Sequence, residues 1–238
     1  MILVDRLSKR YGSFQAVHAL SFIVEPGEIV GLIGPNGAGK TSTLRCLAGI
    51  HAPSDGRVSI HGYDIGTDPV EAKRHIAFMA DEPQLFEYLT VMEHLQLTAR
   101  IYGVTDFASR AKALVDEFEL EGKEHSLPNA LSRGMKQKVA IACGLIHSPT
   151  VLIFDEPLTG LDPLGIRHMK ETIVERGRAG AAIIVSSHLL HLVEEICTRI
   201  VIIDHGVKVA DGTLAELQEK AASGLNLEQI FLAVTAQE

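Results

Sequence analysis

Gly34-Pro35-Asn36-Gly37-Ala38-Gly39-Lys40-Thr41 fits G-x-x-x-x-G-K-[ST], a spacing suited to wrapping a triphosphate. Successive backbone N–H groups must point inward in such a loop. That requires φ > 0 at some positions, which glycine adopts at little cost. Lys40 supplies a point charge for the β- and γ-phosphates, and the Thr41 hydroxyl is a natural Mg²⁺ ligand. Asn36, Gly37, Ala38, Gly39, Lys40, Thr41 and Ser42 are therefore the expected phosphate contacts. Ahead of the loop, Glu28-Ile29-Val30-Gly31-Leu32-Ile33 reads as a buried strand. Behind it, Ser42-Thr43-Leu44-Arg45-Cys46-Leu47-Ala48 reads as a helix that turns its positive N-terminus towards the phosphates. This strand–loop–helix setting separates the motif from a Gly-rich turn that binds nothing, and a bound nucleoside triphosphate is expected.

The 238 residues, 46% hydrophobic and 22% charged, suffice for one sizeable core with a smaller lobe. A formal net charge of −8 argues against a general nucleic-acid-binding surface. Cys46, Cys143 and Cys197 lie in apolar runs without C-x-x-C spacing and read as reduced, buried packing residues of a cytosolic protein. The opening Met1-Ile2-Leu3-Val4-Asp5-Arg6 lacks the regions of a secretion signal. Apolar runs such as 139–146 fall well short of the ~20 residues that cross a bilayer, so no spanning segment is expected.

Residues 1–30 mix short apolar strands (2–4 and 19–24) with turn signals at Tyr11-Gly12 and Pro26-Gly27, the pattern of an antiparallel flap. By pattern alone Tyr11 is a packing aromatic, although its face could also stack on a purine. Further strands are expected at 57–60 and 75–79. From residue 90 to 147 the pattern turns helical. Val91, Leu95, Leu97 and Ile101 suit one amphipathic face, Ala111, Leu114, Val115, Phe118 and Leu120 a second, and a third helix runs over 133–146. The β/α alternation resumes with strands at 151–154, 182–185, 199–203 and 207–210. Helices are expected around 166–175, from 189, and at 214–222 and 227–233. Continuous Val/Ile/Leu strands of this kind belong in a parallel sheet covered on both faces.

Val151-Leu152-Ile153-Phe154-Asp155-Glu156 ends an apolar strand with two carboxylates, which at the C-terminal sheet edge would face the phosphate loop. Asp155 is the expected partner of hydrated Mg²⁺, and Glu156 is placed to polarise an attacking water. Ser186-Ser187-His188 follows a strand expected beside that one, where His188 could donate a hydrogen bond to a γ-phosphate. In Leu131-Ser132-Arg133-Gly134-Met135-Lys136-Gln137, Ser132 can cap a helix whose N–H groups face an anion.

Taken in order, 34–41, 131–137, 151–156, Thr159-Gly160-Leu161-Asp162 and His188 resemble the nucleotide-binding subunit of ATP-binding cassette (ABC) transporters over essentially the whole chain. The resemblance implies an α/β fold: a P-loop NTPase core with a mainly parallel sheet, an N-terminal antiparallel β-subdomain and an inserted α-helical subdomain. It places the helical subdomain at 82–147 and a C-terminal helical tail at 212–238 of a single domain. It implies Tyr11 as the adenine-stacking aromatic, Lys40 in the Walker A loop and Ser132 and Gly134 in the signature. Asp155 would be the Walker B aspartate, Glu156 the catalytic glutamate and His188 the switch histidine. It implies ATP and Mg²⁺, a head-to-tail pair of such subunits, and a separate transmembrane permease, with the chain peripheral on the cytoplasmic face of the membrane. The terminal helices look exporter-like. A soluble ABC ATPase such as an iron–sulfur cluster assembly factor is the alternative.

Two departures from the family pattern stand out. The usual LSGGQ is Leu131-Ser132-Arg133-Gly134-Met135, and Asp81 holds the Q-loop position where glutamine is usual, with Gln84 less well in register. A carboxylate near Mg²⁺ gains on the order of several kcal/mol at an effective dielectric near 20, opposed by the γ-phosphate. The sequence does not set the sign of that balance, and the working expectation is that Asp81 reaches the metal directly or through water. Leu85, Phe86, Tyr88 and Leu89 are candidates either for docking the permease or for the core of the helical lobe, since a few apolar residues alone do not mark an interface.

Overall fold

A computed structural model of the chain describes residues 1–159, 161–221 and 224–235. Gly160 of the expected 159–162 loop, Ala222 of an expected helix and the tail residues 223 and 236–238 lie outside the described residues.

The sheet that carries the phosphate loop contains β3 (Ile29–Ile33), β6 (Ile76–Met79), β7 (Val151–Asp155), β8 (Ala182–Ser186), β9 (Arg199–Asp204) and β10 (Val207–Gly212). Its spatial order is β10-β9-β3-β8-β7-β6, parallel throughout except for β9 against β10. The apolar runs are buried on both faces, yet alternate residues still serve different faces. Val151 and Ile153 join one core cluster, Leu152 and Phe154 the other. The first cluster includes Leu44 and Leu47 of α1 (Lys40–Leu47). The second takes in helices α3 (Val91–Ile101), α4 (Phe107–Glu117), α5 (Arg133–Leu145) and α6 (Pro163–Arg178). A third core joins Ile33, Ile200 and Ile202 to α7 (Leu190–Ile196), α8 (Leu214–Ala221) and α9 (Leu227–Thr235). Among the described residues no helix is long and apolar enough to cross a membrane.

The flap is a second sheet, ordered β2-β1-β4-β5, whose chief strands β1 (Ile2–Tyr11) and β2 (Phe14–Val24) pair antiparallel. Both run longer than the apolar segments suggest, because register shifts between Val4 and Arg10 break the alternation while the pairing continues. β4 (Asp55–Ile60) matches expectation. The two-residue β5 (Tyr63–Asp64) and α2 (Pro69–Arg74) are not legible from periodicity, being too short to show a period.

On α3 the expected apolar face is corrected at its end: Ile101 is 71% exposed, whereas His94 is buried. Both His94 nitrogens have backbone partners. Nε2 accepts from the Phe86 N–H at 2.8 Å, so Nδ1 carries the proton given to the Thr90 carbonyl, also at 2.8 Å. A satisfied imidazole can replace an aliphatic residue in the core. Of the three cysteines, all free thiols, only Cys46 is fully buried, but burial raises the thiols of Cys143 and Cys197 to about 12.

Candidate active site

The strand order decides which loops meet. β8 lies between β3 and β7, so the ends of those three strands bring the phosphate loop, Asp155-Glu156 and Ser186-Ser187-His188 to one sheet edge. Asp155 sits directly opposite Ser186 in the β7–β8 register.

Gly37 (φ 83°) and Gly39 (φ 99°) take left-handed backbone in the loop. Gly39 is needed twice over, because a Cβ there would stand 2.3 Å from the Ala16 carbonyl oxygen. α1 starts at Lys40, a buried ammonium that donates to the carbonyls of Gly34 (2.7 Å) and Pro35 (3.1 Å). Burial lowers its pKa, while the charges of Glu156 and Asp155 oppose that shift. The Lys40 head is thus held within the loop, with two of its three donors on loop carbonyls and the third left for a phosphate oxygen.

Asp155 is 5% exposed, and its Oδ1 accepts from the Ser186 hydroxyl at 2.8 Å and the Thr41 hydroxyl at 3.3 Å. Burial pushes its carboxyl up from the usual range, and the two hydroxyls pull it down. A buried carboxylate short of charge compensation, with a threonine hydroxyl beside it, fits the donor set of a hard divalent cation.

Glu156 has φ 52°, a strained conformation for a side-chain-bearing residue. Ser186 holds it there: the Glu156 N–H donates to the Ser186 hydroxyl (3.0 Å) and carbonyl (3.2 Å). The Glu156 carboxylate accepts from His188 Nδ1–H at 2.8 Å and from the His188 N–H at 3.3 Å. Because a carboxylate cannot donate, the contact fixes the proton on Nδ1 and leaves the largely exposed ring to present Nε2. Ser186 is therefore the hub of the site. Sequence reading passed over it for His188, although its place at the end of an apolar strand was the available signal.

Tyr11 is on the surface, not in the core. Its hydroxyl lies 2.8 Å from His51 Nδ1, and the Lys9 ammonium stands 5.0 Å from its ring centroid. A second aromatic, not singled out by the sequence, is Phe14, its cross-strand partner, 62% exposed. Phe14 lines a cavity of about 570 Å³ together with Asn36, Gly37 and Ala38.

Ser132 caps α5, its hydroxyl accepting from the Met135 N–H at 3.2 Å, and Gly134 faces Leu161. Among the described residues neither Ser132 nor Gly134 shares a hydrogen bond with the phosphate loop or the Asp155–His188 group. Among the described residues Asp81 likewise shares no hydrogen bond with Thr41 or Asp155. Its Oδ1 instead lies 3.8 Å from the Arg133 guanidinium.

Residues 17–159 match the family model described as ABC transporter. The chain is 36% identical to the ABC-type transporter ATP-binding protein EcsA of Bacillus subtilis (strain 168), over 100% of this chain and 98% of that protein. It is 37% identical to the SkfA peptide export ATP-binding protein SkfE of the same organism, covering 93% and 92%. A solved ATP-binding subunit of an ABC transporter superposes with a TM-score of 0.93 at 36% identity, covering 98% and 99%. These likenesses give no support to the iron–sulfur assembly reading. With Asp155, Glu156 and His188 gathered on the edge that holds the phosphate loop, the chain belongs to the ABC transporter family, as an ATP-binding, ATP-hydrolysing subunit.

Proposed function

We propose that the chain works as one of two cassettes that close head to tail on ATP, driving export through separate transmembrane subunits from the cytoplasmic face of the membrane. The observation that carries this reading is a division within the chain. The phosphate loop, Asp155, Glu156 and His188 form one group, while Ser132 and Gly134, on a capped helix N-terminus suited to an anion, share no hydrogen bond with it among the described residues. A second copy would supply the missing contact to each γ-phosphate.

In this reading Lys40 and the loop amides bind the β- and γ-phosphates, and Tyr11 or Phe14 stacks on the base. Thr41 and Asp155 would hold Mg²⁺, which would supply charge neutralisation for the phosphates. Glu156 accepts a proton from the attacking water on Oε1, while His188 orients the carboxylate by donating to Oε2 from Nδ1 and turns Nε2 to the γ-phosphate. A groove of about 410 Å³ lined by Phe78, Leu85, Leu97 and Ala140, with Phe86 63% exposed at its rim, is the docking place for a transmembrane partner. Tyr88, 87% exposed, extends that surface, whereas Leu85 and Leu89 are part-buried and Leu85 packs on the core. Export is favoured by the likeness to a peptide-export subunit.

The test is Glu156→Gln. It is expected to bind ATP, to lose at least about 100-fold in turnover as removal of a general base does, and to accumulate as an ATP-dependent dimer on size exclusion. A monomer at saturating ATP, or wild-type turnover, would overturn the reading.

A further inference from the structure

The two places where the chain departs from its family's pattern meet each other. Asp81 Oδ1 and an Arg133 guanidinium nitrogen are 3.8 Å apart. The Asp81 side chain is 46% exposed, but Oδ1 itself is shielded from solvent and has no hydrogen-bond partner. A shielded carboxylate oxygen without a donor needs a nearby cation, and among the described residues Arg133 pairs with it. One helical turn further along α5, Gln137 Nε2 donates to the Ala80 carbonyl at 3.4 Å, so residues 133 and 137 grip consecutive residues of the same loop. Deeper on this face Gly144 lets α5 lie close against β6: a Cβ there would come within 3.1 Å of Met79 Sδ and 3.3 Å of Ala77 Cβ.

We infer that Asp81 and Arg133 are positioning residues, a charge tie that sets Ser132 and Gly134 by fastening the first turn of α5 to the loop after β6. That same loop carries Glu82, Pro83, Leu85 and Phe86 into the docking groove. A partner that displaces the loop therefore displaces the helix N-terminus that meets a second copy's γ-phosphate. Asp81 acts through Arg133 and not on the metal. The tie itself is a property of the single chain, and its consequence for closure rests on the function proposed above.

The test is a double-mutant cycle of Asp81→Asn, Arg133→Gln and both, in the full chain. In the nucleotide-free protein, the amides of residues 80–82, 84–86 and 133–137 are expected to exchange with solvent about 2–5-fold faster in each single variant, the range for an exposed ion pair. The double variant should be no faster than either single. With Glu156→Gln added, the ATP concentration for half-maximal dimerisation should rise by a similar factor, while nucleotide affinity of the monomer stays unchanged. Unaltered exchange in the singles, or additive effects in the double, would overturn the tie. So would a raised Mg²⁺ requirement in Asp81→Asn that Arg133→Gln does not share. Non-additive exchange without any ATP-dependent dimer would uphold the tie and sink the head-to-tail reading instead.

Discussion

Ser186→Ala removes one oxygen from the centre of the site. That hydroxyl donates to Asp155 Oδ1 at 2.8 Å and accepts from the Glu156 N–H at 3.0 Å, and the residue is fully buried. The two losses are unequal. The Glu156 amide keeps the Ser186 carbonyl at 3.2 Å, so its desolvation penalty is small. Asp155 keeps only the longer Thr41 bond of 3.3 Å, and a hydrogen bond to a charged group contributes about 1.5–3 kcal/mol. The retained Thr41 bond puts the expected loss of stability in the lower half of that range, about 2 kcal/mol. For a chain of this length that lowers Tm by about 4–8 °C, measurable by calorimetry without nucleotide or Mg²⁺. Ser186 also holds Glu156 in its left-handed conformation, so turnover should fall while nucleotide affinity, set by Lys40 and the loop amides, stays the same. Ser187→Ala, whose hydroxyl accepts only the Leu189 N–H, is the control: it should lower Tm without that split. A Ser186→Ala protein within 1 °C of wild type, or with turnover intact, would refute the hub.

Three other outcomes follow from particular contacts. Burial depresses His147 to about 4 from 6.5, so the unfolded chain binds more protons between those values, and stability is full above pH 6.5 and falls as pH drops towards 4. At 1.36 kcal/mol per unit, reduced by about half for its part-exposed ring, this is about 1.7 kcal/mol. His147→Gln should flatten that part of a urea-stability curve, and curves parallel to wild type would exclude the cause. Gly39→Ala, which must bear φ 99° and a contact 2.3 Å from a backbone oxygen, should lose about 3 kcal/mol and bind nucleotide at least about tenfold more weakly by titration. Tyr11→Ala and Phe14→Ala, compared by titration with ATP and with inorganic triphosphate, identify the base platform. The true one should weaken ATP by about 1–3 kcal/mol, the range of base–aromatic stacking, and leave triphosphate unaffected.

Much of the site is legible in the primary sequence because its chemistry is local. A phosphate loop needs glycines, a lysine and a threonine within one turn of chain. Asp155 and Glu156 announce themselves by ending an apolar run. Strands 151–154 and 182–185 are equally plain, since a buried parallel strand needs only continuous apolar residues. Other features are invisible in any window. The role of Ser186 depends on β8 lying between β3 and β7, a matter of long-range pairing. His94 reads as polar until its two backbone partners are in place. The sequence alone determined that this chain binds and splits a nucleoside triphosphate, because that chemistry is written in contiguous residues. Only the tertiary structure decided that Asp81 lies beside Arg133 and that one serine holds both carboxylate-bearing residues, because charge and hydrogen bonding act through space across 31 to 52 residues of chain.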